Sequence, residues 1–151
     1  MILKTYARVV TENAERTLEP LRSLTGKEPD VRFTVGTTEI IAIADFCIIA
    51  APREQLAALR EVVGPVVVDN LKELHSRLIE QGYEIALGPI EAPTGTVLYA
   101  RNPDGGIMEW LQYTTELTER FFQTSEDPRV GRKEQRGQGR CCAACSVGSR
   151  R

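Results

Sequence analysis

The sequence predicts an α+β fold made of two copies of one strand-helix-strand-strand-strand unit, βαβββ, followed by a tail. Three observations carry that expectation. The order of apolar β-type runs and helical periodicities in residues 1–51 recurs in residues 64–113. Val9-Val10-Thr11-Glu12-Asn13 is echoed 57 residues later by Val66-Val67-Val68-Asp69-Asn70. Arg101-Asn102-Pro103-Asp104-Gly105-Gly106-Ile107-Met108-Glu109-Trp110 then supplies a reversal between two β-rich runs, which is a hairpin.

Ile2 to Val10 is apolar and partly β-branched, a first strand. Thr11-Glu12-Asn13 offers cap-type residues, after which Ala14, Leu18, Leu21 and Leu24 recur at helical spacing until Gly26 and Pro29. Val31 to Val35 alternates as a strand, Gly36-Thr37-Thr38 turns, and Glu39 to Ala44 and Phe46 to Ala51 complete the first unit. A helical connector is expected over Pro52 to Val63, with the second unit starting at residue 64. In it, Pro65 to Val68 is a strand, and Asn70 caps a helix with Glu73 at the third position. Leu71, Leu74, Leu78 and Ile79 give that helix one apolar face, ended by Gly82. Tyr83 to Leu87, Gly95 to Arg101 and Ile107 to Tyr113 are its three later strands.

In the hairpin turn, Pro103 fixes φ, Asp104 is expected to bond its own backbone, and Gly105 and Gly106 accept positive φ. The strand after it carries a lone carboxylate, Glu109, among apolar neighbours. A charge there must be functional, paired, or turned toward a wet cavity. Pairing with Arg8 or with Arg101 satisfies the second condition. Alternation puts Glu109 on one face with Ile107, Leu111 and Tyr113, leaving Met108 and Trp110 for the helices. On the first strand Tyr6 shares a face with Arg8 and Val10.

This hairpin resembles the last hairpin of the vicinal oxygen chelate superfamily, the glyoxalase, bleomycin-resistance and extradiol-dioxygenase group. Its members often read D-P-D-G-N before an alternating strand with a glutamate; here Asn102 replaces the first Asp and Gly106 the Asn. The repeated βαβββ unit is also that superfamily's architecture. The resemblance spans residues 2–113 and implies two curled mixed sheets facing each other across a cleft. In the enzymes it further implies a metal held from four positions, which fall here near Tyr6, near Val63, within Phe46 to Ala50, and at Glu109.

Only Glu109 among those is a usual ligand for a divalent ion, and one ligand cannot hold it. The single histidine, His75, lies inside the second helix and reads as a packed helix residue. Metal-dependent glyoxalase or dioxygenase chemistry is therefore disfavoured, and the chain reads as a metal-ligand-poor member needing no cofactor. There is no G-x-S-x-G and no Gly-rich phosphate loop ahead of a helix.

Hydrophobic residues make up 42% and charged residues 26%, an ordinary balance for a globular chain. Residues 1–113 hold 11 Lys/Arg against 16 Asp/Glu, whereas residues 114–151 hold 8 against 5. An acidic body argues against nucleic acid as a partner. No apolar run is long enough for a membrane span, and no secretory signal is evident, so a cytoplasmic location is expected. Cys47 sits in an apolar run as a small buried hydrophobe. Cys141, Cys142 and Cys145 fall in residues 124–151, which read as a disordered basic tail. Before it, Thr115 to Gln123 is expected to form a short helix docking Leu117, Phe121 and Phe122, within a docking segment at 114–123.

The functional expectation is a metal-free small-molecule binding protein holding a planar or aromatic ligand between Tyr6, Arg8, Glu109 and Tyr113. Metal-free members of the superfamily commonly dimerise, which implies a homodimer. One alternative is a cofactor-independent isomerase or lyase acting on a small carbonyl metabolite with Glu109 as base. Another is an interaction module whose cleft is filled by its own side chains.

Overall fold

The computed structural model describes residues 1–122; Gln123 and the 124–151 tail, with its three cysteines, lie outside the described residues. The chain runs β1 (Ile2–Thr5), β2 (Ala7–Thr11), α1 (Ala14–Thr25), β3 (Val31–Val35), β4 (Thr38–Ile43) and β5 (Phe46–Ala50). A 3-10 turn (Arg53–Gln55) and α2 (Leu56–Arg60) lead to β6 (Val62–Val68), α3 (Leu71–Glu80), β7 (Glu84–Ala92), β8 (Gly95–Arg101), β9 (Ile107–Tyr113) and α4 (Thr115–Phe122).

These elements form two mixed sheets. One has five strands in the order β1-β6-β9-β8-β7, the other four in the order β2-β5-β4-β3. Within each unit the first and last strands are parallel neighbours, β2 with β5 and β6 with β9, and the remaining pairs are antiparallel. The repeat legible in the sequence is thus a repeat of pairing pattern. Both long helices start as their caps dictate: the Asn13 side chain accepts from the Arg16 N–H at 3.0 Å, and Asn70 from Glu73 N–H at 3.0 Å. Gly26, at φ 65°, ends α1 in the left-handed conformation.

Each sheet buries one face under its helix. Leu18 of α1 packs with Ile41, Ile43 and Ile48, and Leu71 and Leu78 of α3 pack with Val66, Leu98 and Trp110. The opposite faces meet each other in a cluster that includes Tyr6, Cys47, Ile49, Val97, Leu111 and Tyr113. Trp110 lies on the helix side and Leu111 and Tyr113 on the other, as strand alternation required.

Three boundaries depart from the sequence reading. The expected first strand, Ile2 to Val10, is two strands in two sheets, because the chain changes partner at Tyr6. There the Tyr6 N–H donates to the Pro65 carbonyl at 3.0 Å and the Ala7 N–H to the Asp45 carbonyl at 2.8 Å. Alternation sees only that a run is apolar, not which neighbour it bonds. Next, β6 begins at Val62 and its pairing with β9 shifts between Val63 and Val66. Gly64, at φ 104°, permits this; a Cβ there would stand 2.8 Å from the Glu109 carbonyl oxygen. Finally, β7 continues through Gly88-Pro89 to Ala92 instead of stopping at Leu87. It is an edge strand, where a proline costs no ladder bond.

The hairpin register is as the sequence implied, with Arg101 opposite Ile107 and Tyr99 opposite Glu109. Its turn is held by Asn102, not by Asp104. The Asn102 side-chain oxygen accepts from Gly106 N–H at 2.9 Å, and its N–H donates to the Gly106 carbonyl at 2.8 Å.

Candidate functional site

Between the two facing sheets lies a cavity of about 310 Å³. The junction between β1 and β2 brings Tyr6 to it, β2 brings Arg8, β5 brings Cys47, β8 brings Tyr99, and β9 brings Glu109 and Tyr113. Apolar side chains from both units, among them Phe33, Ile40, Val97 and Leu111, make up most of its walls. All four residues expected at the site therefore line one cavity. That open space argues against a cleft filled by its own side chains.

The polar centre is an ion pair across the two sheets. Arg8 Nη1 donates to Glu109 Oε2 at 2.6 Å, and the two side chains are only 8% and 13% exposed. Of the two partners open to Glu109 in the sequence, Arg8 takes it; Arg101 instead donates to the Gly105 carbonyl at the hairpin tip. Arg8 Nε is buried and has no hydrogen-bond partner. A guanidinium offers five N–H donors in a fixed fork, so engagement at Nη1 leaves demand elsewhere.

A second polar feature sits at the end of β9. The Tyr113 hydroxyl donates to the Tyr6 hydroxyl at 2.9 Å, and both rings are buried. The Lys4 ammonium, bonded to the Ala44 carbonyl at 2.7 Å, lies 4.6 Å from the Tyr6 ring centroid and packs it from outside. Burial raises both phenols above their ordinary range, so they act as neutral hydroxyls.

Two residues of the site escaped the sequence reading. Tyr99 is the direct cross-strand neighbour of Glu109, and its phenol is pushed up to about 12, first by burial and then by the Glu109 charge. Counting back from the hairpin, with Arg101 opposite Ile107, would have placed it there. Cys47 is buried as expected, yet it is also the register partner of Arg8 and faces the cavity. Burial, then Glu109, raises its thiol to about 12, so it is no nucleophile at neutral pH.

The donor set does not fit a divalent ion. Of the four positions that the resemblance associates with metal, Tyr6 is spent on Tyr113, Val63 is apolar and half exposed, and Cys47 holds its proton. The fourth, Glu109, is held by Arg8. Among the described residues no three His, Cys, Asp or Glu side chains come together as a metal site would need. His75 stays on α3, as the sequence suggested.

The chain matches no protein-family model and no curated protein sequence. Its fold, however, recurs among solved structures. An uncharacterized protein from Methanosarcina mazei superposes with a TM-score of 0.68 at 26% identity, over 76% of this chain and 94% of that one. Methylmalonyl-CoA epimerase from Mycobacterium tuberculosis follows with a TM-score of 0.64 at 11% identity, over 78% and 92% of the two chains. The Streptomyces coelicolor epimerase, solved with 2-nitronate-propionyl-CoA, gives 0.60 at 11% identity, over 76% and 99%. The chain thus shares the overall fold of these structures, two mixed sheets of five and four strands, which is the architecture that the hairpin and the repeat implied. No helix among the described residues is long and apolar enough to cross a membrane.

Proposed function

We propose that this chain is a metal-free, cytoplasmic small-molecule binding protein that takes a planar, largely apolar ligand into the cleft. The observation that carries the reading is the cavity itself: about 310 Å³, walled by apolar side chains and furnished with one buried ion pair. That size and makeup are those of a small-ligand site. Tyr6, Arg8, Glu109 and Tyr113 are its polar anchors, and facing sheets favour a flat ligand between them. The excess of acidic residues in 1–113 disfavours nucleic acid. Exposed Leu87 and Ile90 on edge strand β7 suit a homodimer, which light scattering would detect.

The test is a thermal-shift screen of planar aromatic compounds on the full chain, because binding to the folded state raises its melting temperature. At least one neutral planar compound should raise it by several degrees. Stoichiometric metal that restores a lyase or dioxygenase activity would defeat the reading.

A second reading draws on those fold neighbours that are epimerases: a cofactor-independent isomerase or lyase with Glu109 as base. A base must reach the proton it removes, and one Glu109 oxygen is already taken by Arg8. Methylmalonyl-CoA incubated with the protein in deuterated water separates the two. Deuterium uptake that Glu109→Gln abolishes would establish the isomerase.

A further inference from the structure

We infer that the polar centre of the cleft selects a neutral ligand bearing a hydrogen-bond acceptor, with Arg8 as the specificity-determining donor. This rests on the cleft-binding reading and narrows the class of ligand. The starting point is the unpartnered Arg8 Nε in a side chain that is 8% exposed and lines the cavity. A buried N–H with no acceptor is unfavourable, so a ligand that supplies one is stabilised there. The Tyr6–Tyr113 pair makes the same demand. Tyr6 accepts from Tyr113, which leaves the Tyr6 hydroxyl to donate, two residues along from Arg8.

Charge decides which acceptor fits. The ionised residues lining the cavity are Arg8, Glu109 and, at the exposed rim, Glu91. Arg8 is already balanced by Glu109 at 2.6 Å. A ligand carboxylate would set a second buried anion beside Glu109 with one cation between them, and like charges repel strongly away from water. An ammonium would bring no acceptor and face Arg8. A ketone or similar carbonyl supplies a lone pair to the Arg8 guanidinium or the Tyr6 hydroxyl without adding charge. Glu109 is on this account the group that excludes anions.

The prediction is read with three matched probes, 2-acetylnaphthalene, 2-ethylnaphthalene and 2-naphthoate, titrated against the full chain at pH 7.5. The wild type should bind the ketone at least tenfold more tightly than either the hydrocarbon or the carboxylate. Glu109→Gln keeps the volume and removes the anion, so it should shift the preference at least tenfold toward 2-naphthoate. The charge-free double variant Arg8→Met/Glu109→Leu should lose most of the preference for the ketone over the hydrocarbon, keeping only what the Tyr6 hydroxyl supplies. Circular dichroism checks each fold, and the double variant remains informative if Glu109→Gln does not fold. Equal or tighter binding of 2-naphthoate by the wild type overturns the selectivity while leaving cleft binding intact. The same holds if Glu109→Gln keeps the wild-type preference. Failure of the wild type to bind any of the three probes also overturns the selectivity, and the cleft-binding reading then stands or falls by the thermal-shift screen.

Discussion

Arg8 and Glu109 meet 101 positions apart in sequence, at 2.6 Å, in surroundings that leave each side chain less than a seventh exposed. A buried pair of this kind gains little net stability from its attraction, but losing one partner strands a charge at a cost of about 3–5 kcal/mol. Glu109→Leu is therefore expected to lower the urea-unfolding free energy by about that amount, whereas Arg8→Met/Glu109→Leu should return to within roughly 1 kcal/mol of the wild type. A single-variant loss well below 1 kcal/mol would mean that the pair is hydrated. Much of this site was legible in the residues. A carboxylate at an apolar strand position called for a partner, and alternation put Tyr6, Arg8, Glu109 and Tyr113 toward one space. The choice of Arg8 over Arg101 was not legible, because it depends on how two distant units face each other. Tyr99 was missed although hairpin register places it opposite Glu109.

At the scale of elements, α4 shows what a short amphipathic segment can add. Leu117, Phe121 and Phe122 pack on the cleft-side core, and the Phe121 and Phe122 rings lie 5.6 and 6.4 Å from that of Tyr113. Tyr113 in turn bonds Tyr6 at the cavity wall, so α4 braces a site residue. Truncation after Tyr113 should destabilise the protein and weaken ligand binding, while truncation after Gln123 should leave both unchanged. Phe121→Ala alone should cost about 1–2 kcal/mol, since the ring is half-buried. Equal melting temperatures for the two truncations would show that the segment contributes nothing. Helix caps at Asn13 and Asn70 and the run from Ile107 to Tyr113 were fixed locally, and sequence patterning found them. The split of the first strand at Tyr6 and the extension of β7 to Ala92 were not local. Each is decided by which strand lies alongside, information that alternation within one strand does not hold.

For the molecule as a whole, enclosing a cleft between two sheets leaves several weak acids in poor contact with water, and that sets its response to alkali. Cys47 and Tyr99 are raised to about 12, from 9.0 and 10.0, and Tyr6 and Tyr113 are raised in the same direction, in each case first by burial. The sign follows from linkage. Well below pH 9, at about pH 8 and under, these groups are protonated in both folded and unfolded chains and contribute almost no pH dependence. Between about 9 and 12 the unfolded chain releases their protons while the folded one keeps them, so the unfolded state is favoured as pH rises. Stability should therefore be level through neutral pH and fall steadily above pH 9. Replacing Cys47 by Ala should flatten the earliest part of the fall, since the thiol has the lowest unfolded pKa of the set. In a chain cut after Gln123, Cys47 is the sole thiol, and at pH 8 it should resist a disulfide reagent until urea unfolds the protein. A ligand seated in the cleft shields the same groups further, so it should move the alkaline midpoint upward. Rapid thiol labelling of the folded protein at pH 8 would show instead that Cys47 is open to water, and the buried polar centre would lose its physical basis.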